Sequence, residues 1–157
     1  MSRIKLREKL NHMSLIKPIV LHLPDQTLPV EKGFISGLRQ TLSNTPEVLF
    51  AVLIGSRAHG SATEKSDWDI AIQWQYGDAL ERIARHELMR HRLARLLEAP
   101  DDQIDLIDLS NARLTMRALV AEEGSLLVVN DELAWAKYLT QTWRELEDFY
   151  WERTHAA

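Results

Sequence analysis

Asp67 and Asp69 stand one residue apart in the stretch GSRAHGSATEKSDWDI (55–70), and ten residues separate Asp67 from Ser56 of the Gly-Ser pair that opens it. Alternate side chains of a strand share a face, so the two carboxylates project together, ~7 Å apart along the chain. Two such groups repel when both are ionised, and a divalent cation relieves the repulsion. Mg²⁺ takes oxygen ligands, keeps several waters and binds through one or two carboxylates together with substrate phosphates. Upstream, Gly55 ends the apolar run VLFAVLI (48–54), where a glycine lets the backbone turn and a phosphate come close. Ser56 offers a hydroxyl and an N–H at the expected start of a short helix, SRAHGSA, whose free amides favour an anion. A phosphate on Gly55-Ser56 and metal on Asp67-x-Asp69 would together clamp one triphosphate.

These residues need strands to carry them. VLFAVLI is β-favouring and apolar throughout, the pattern of a strand covered on both faces. WDIAIQW (68–74) alternates, with Asp69, Ala71 and Gln73 on one face and Trp68, Ile70, Ile72 and Trp74 on the other, which directs Trp68 to the core. QIDLIDL (103–109) is a third strand, and SLLVV (125–129) a short strand or hairpin arm. Between them lie helices. Residues 29–44 place Val30, Phe34, Leu38 and Leu42 on one face at steps of four. Asp78 followed by Glu81 suits a capped start for a helix that runs toward Pro100, and its Arg85 and His91 read as a solvated face. Asn111 is expected to cap ARLTMRALVAEE, with Gly124 closing it in a left-handed conformation. Asp131 caps a last helix whose Trp135, Leu139, Trp143, Leu146 and Tyr150 form an aromatic stripe, packed on its own domain or offered to a partner. Strands interleaved with helices indicate an α/β (α+β) domain with a small mixed sheet.

Composition narrows the class. The chain has 157 residues, enough for one domain with a sizeable core, and 45% hydrophobic against 27% charged residues argues against general disorder. The expected organisation is an N-terminal extension, 1–28, and one domain over 29–157. Nineteen Lys and Arg against 23 Asp and Glu leave a net charge of −4, so no overall basic field attracts nucleic acid. With no cysteine there is no disulfide, thiolate metal site or Cys nucleophile, which fits a reducing compartment. No apolar run is long enough to span a bilayer, and Lys17, Pro18 and His22 interrupt the N-terminal one, so a cytoplasmic location is expected.

The stretch 55–70 resembles the active-site motif of the nucleotidyltransferase superfamily related to DNA polymerase β, in which Gly-Ser is followed after about ten residues by Asp-x-Asp. The resemblance implies a third carboxylate from a later strand. In QIDLIDL, Asp105 and Asp108 are three apart and face opposite ways, so only one joins the site. In the small relatives the similar strand carries the catalytic carboxylate first, which selects Asp105 and leaves Asp108 as a near-cap charge. From about Val48 to Tyr150, through GSRAHG, SDWDI, IDLIDL and the closing aromatic helix, the chain looks like the minimal nucleotidyltransferases (MNT) that serve as antitoxins beside a HEPN-domain RNase toxin, the MntA–HepT type.

That family transfers AMP from ATP to a tyrosine hydroxyl of the toxin and so silences it. The resemblance implies ATP as substrate, two Mg²⁺ ions on Asp67, Asp69 and Asp105, and Gly55 and Ser56 on the β- and γ-phosphates. Arg57 is a further phosphate contact, and Ser66 orients the loop or touches phosphate. His59, where many relatives have Arg or Gln, touches nucleotide or packs the short helix. Residues 1–28 have no counterpart in the family. Two alternatives remain: a dimeric nucleotidyltransferase acting on a small molecule, and an antitoxin that neutralises by binding alone.

Overall fold

The computed structural model describes residues 29–156, so the expected extension over 1–28 lies outside the described residues. Val48–Ile54 forms β1, and six of its seven residues are buried because the strand is interior to the sheet with helices on both faces. Trp68–Trp74 (β2), Ile104–Asp108 (β3) and Ser125–Val129 (β4) complete a four-stranded sheet of order β3-β2-β1-β4. β1 pairs antiparallel with β2 and β4, whereas β2 and β3 are parallel. A parallel pair needs a crossover, and the helix Ala79–Leu96 supplies it.

Among the described residues five α-helices follow in chain order: α1 (Pro29–Ser43), α2 (Gly55–His59), α3 (Ala79–Leu96), α4 (Leu114–Glu123) and α5 (Glu132–His155). Ile35, Leu38 and Leu42 of α1 and Met89 and Leu93 of α3 cover one sheet face, meeting Leu53, Ile70 and Ile72. On the other face Phe50, Val52 and Ala71 meet Val120 of α4 and Tyr138 of α5. The alternation read from WDIAIQW is therefore the one observed. Truncating a fully buried ring such as Phe50 to Ala costs about 3–5 kcal/mol. Two caps form as the sequence implies: Asp78 accepts from the Glu81 N–H at 2.8 Å and Asp131 from the Ala134 N–H at 2.9 Å. No described helix is long and apolar enough to cross a membrane.

Four local expectations need correction. The buried line of α1 runs through Ile35, Leu38 and Leu42, with Phe34 only half-buried at its margin. Asn111 lies in a 3₁₀ turn, Leu109–Asn111, and the residue preceding α4 is Arg113, with no side-chain cap. Gly124 is extended, φ −73°, and not left-handed; it is small because a Cβ there would collide with Val52 and with the Val120 carbonyl. In α5 the fully enclosed residues are Tyr138 and Thr142, with Trp135, Leu139, Trp143 and Leu146 flanking them and Tyr150 exposed.

Candidate active site

The C-terminal end of β1 and the N-terminal ends of β2 and β3 meet at one edge of the sheet, and the residues that could do chemistry lie there. Ile54 is the register partner of Asp69, and Asp69 is the register partner of Asp105 in the next strand. Partners in a ladder share a face, so the carboxylates of Asp69 and Asp105 stand side by side on the face that bears α4 and α5. Asp67, just before β2, is exposed. Gly55 turns the chain out of β1 at φ +72°, and a Cβ there would collide with the Asp69 carboxylate. Only glycine satisfies both the left-handed backbone and the close approach.

Electrostatics agree with this packing. Burial first, then the charges of Asp105 and Asp67, push the Asp69 carboxyl above its ordinary pKa, while Arg57 opposes them. Among the described residues no group of three or more Asp, Glu, His or Cys side chains is arranged to hold an ion. The donors are nonetheless all carboxylate oxygens, two of them adjacent in register and mutually repelling, which is the chemistry a hard divalent cation satisfies.

The loop between α2 and β2 sets the position of Asp67. Gly60, at φ 71°, ends α2, and the N–H groups of Gly60 and Ser61 both donate to the Ser56 carbonyl. The Ser66 hydroxyl accepts from the Thr63 N–H at 2.9 Å, and the Ser66 N–H donates to the Thr63 carbonyl at 3.0 Å. Ser66 thus orients the loop. Arg57 faces inward: it is buried, donates to the carbonyls of Ser66, Asp67 and Thr63, and lies 4.1 Å from the Trp68 ring centroid. Ser56 remains partly exposed beside Gly55.

His59 donates Nδ1–H to the Gly55 carbonyl at 2.7 Å and places Nε2 3.5 Å from Glu123, tying α2 to the end of α4. Asp108 accepts from the Ser110 N–H at 2.9 Å and lies 3.7 Å from Arg82, so it supports the turn after β3 as expected. The sequence reading missed Thr63 as the partner of Ser66 and Trp68 as the surface beneath Arg57. A Thr-x-x-Ser turn pattern was the signal available for the first.

The model of the family "Polymerase beta, Nucleotidyltransferase" matches residues 37–133, more than half of the chain, and the chain belongs to that family. More particularly, it is similar to solved toxin–antitoxin structures. A toxin–antitoxin complex with AMP-PNP contains a chain 28% identical, with a TM-score of 0.59, over 81% of this chain and 94% of that one. An MntA–HepT variant has 30% identity and a TM-score of 0.57 over 82% and 94%. The tri-AMPylated Shewanella oneidensis HEPN toxin in complex with MNT antitoxin has 24% identity and a TM-score of 0.56 over 80% and 92%, a likeness of fold. No curated protein matches the chain.

Proposed function

We propose that the chain is the antitoxin of a toxin–antitoxin pair and transfers AMP from ATP to a tyrosine hydroxyl of a cognate HEPN-domain RNase. The observation that carries this reading is the junction of Gly55 with Asp69 and Asp105: a left-handed glycine ends β1 against a carboxylate whose register partner is another carboxylate. Similarity to a chain from a complex with AMP-PNP supports a nucleotide at this junction, and the AMPylated HEPN toxin suggests the acceptor. The cytoplasm is where such an RNase would meet its substrates.

Each residue has a role in an in-line displacement at the α-phosphate. The turn at Gly55 and Ser56 holds the β- and γ-phosphates by close backbone approach. Asp67 and Asp69 would hold Mg²⁺, with Asp105 on the acceptor side. Ions held there would lower the pKa of the acceptor hydroxyl and neutralise charge on the triphosphate. The tyrosine oxygen forms the new P–O bond, pyrophosphate leaves with the electron pair of the broken one, and Asp105 accepts the tyrosine proton. Ser66 shapes the loop, and Arg57 acts from beneath it.

ATP labelled at the α-phosphate distinguishes this chemistry from other modifications. The label is expected on the partner toxin, whereas γ-labelled ATP leaves it unlabelled; γ-label transfer, or none from either, overturns the reading.

A further inference from the structure

We propose that Arg57 is a positioning residue of this site, acting on the nucleotide through Asp67 and the 60–67 loop and not by touching phosphate. The inference rests on the function proposed above and adds how the site is held in shape. Arg57 is only 7% exposed. A buried guanidinium is costly unless its donors are used, and those of Nε and Nη2 reach the loop. Nε donates to the Ser66 and Asp67 carbonyls, both at 3.2 Å, and Nη2 to Ser66 at 2.6 Å and Thr63 at 3.4 Å. Its carbon lies 4.1 Å from the centroid of Trp68, which Phe34 meets edge-on at 6.3 Å.

One side chain therefore gathers three carbonyls of a segment that lies outside the sheet. The consequence falls on Asp67. Its carbonyl is held by Arg57, and the next residue, Trp68, is fixed in β2 opposite Ile104. The backbone of a residue beyond the ladder is thereby pinned on its C-terminal side while its side chain stays exposed toward the site. Lysine keeps the charge but cannot supply the planar fork or stack on Trp68 in the same way.

The test compares the full-length wild type with Arg57→Lys and, as a neutral donor, Arg57→Gln. Hydrogen exchange of the Ser61, Thr63 and Ser66 amides, binding of a fluorescent ATP analogue with Mg²⁺, and transfer kinetics are read on the same samples. Exchange in 61–67 is expected to rise about tenfold while sheet amides keep their protection. A small misplacement of Asp67 lowers kcat by about 10- to 100-fold, with KM for ATP and analogue affinity within about threefold. Unchanged loop exchange, or a loss carried by KM and analogue affinity, overturns the proposal. Should Arg57→Gln lose sheet protection, Arg57→Lys decides. A wild-type chain without transfer activity overturns the functional reading, while loop exchange and analogue binding still decide the role of Arg57.

Discussion

Replacing Gly55 with Ala disturbs the site in two separable ways. The first is conformational: at φ +72° an L-residue is strained by about 1–2 kcal/mol. The second is steric, because the new methyl meets the Asp69 carboxylate, its Cγ at 3.3 Å and its nearer oxygen closer still, whereas the Asp69 Cβ at 3.6 Å is an ordinary contact. Overpacking of this kind costs about 1–3 kcal/mol. Gly55→Ala should therefore destabilise the chain by about 2–5 kcal/mol, measured by urea unfolding with linear extrapolation. In an Asp69→Ala background the carboxylate is gone and its Cβ remains, so only the conformational part survives. A double-mutant cycle should then show Gly55→Ala costing about 1–3 kcal/mol less than in the wild type. Additivity within about 0.5 kcal/mol would refute the claim that this glycine is required by contact with Asp69.

Further outcomes follow from the same geometry. The raised pKa of Asp69, caused first by burial and then by Asp105 and Asp67, means that its ionisation opposes folding. The stability contribution of protonated Asp69 is complete below the ordinary value of 3.8 and is lost as pH rises through the raised one. Metal-free Asp69→Asn should consequently unfold at a higher temperature than wild type at neutral pH, with the gap closing toward acid, and Mg²⁺ with ATP should stabilise wild type more. A gap that widens toward acid refutes this. Asp105→Asn should abolish transfer without destabilising the fold, because it also relieves the repulsion on Asp69. Asp108→Ala should instead cost about 1–2 kcal/mol through the lost cap on Ser110 and leave transfer within a few-fold, read by parallel unfolding and activity assays.

Much of the site-bearing architecture was legible because its signals are local. β1 and β2 run over Val48–Ile54 and Trp68–Trp74, where an uninterrupted apolar run and a strict alternation each admit one geometry. Parity put Asp105 and Asp108 on opposite faces, the family resemblance selected Asp105, and Asp105 is the one in register with Asp69. Other features depended on contacts that a single sequence does not encode. A glycine required for left-handed φ and one required for close approach carry the same letter, so Gly124 was read as the first and is the second. Thr142 at the centre of a buried face gives no hydrophobic signal. The inward turn of Arg57 was invisible for a related reason: its partners are backbone carbonyls, which every residue has, and nothing in Thr63, Ser66 or Asp67 advertises that theirs will be used.

The most direct measurement mixes the chain with a HEPN-domain toxin, ATP and Mg²⁺, and follows the intact mass of that partner, with fragmentation to locate any adduct. Mass steps of one AMP unit on tyrosine are predicted with the wild-type chain, and none with a folded Asp67→Ala, Asp69→Ala double variant. An unmodified partner that the double variant neutralises as well as the wild type does would contradict the account.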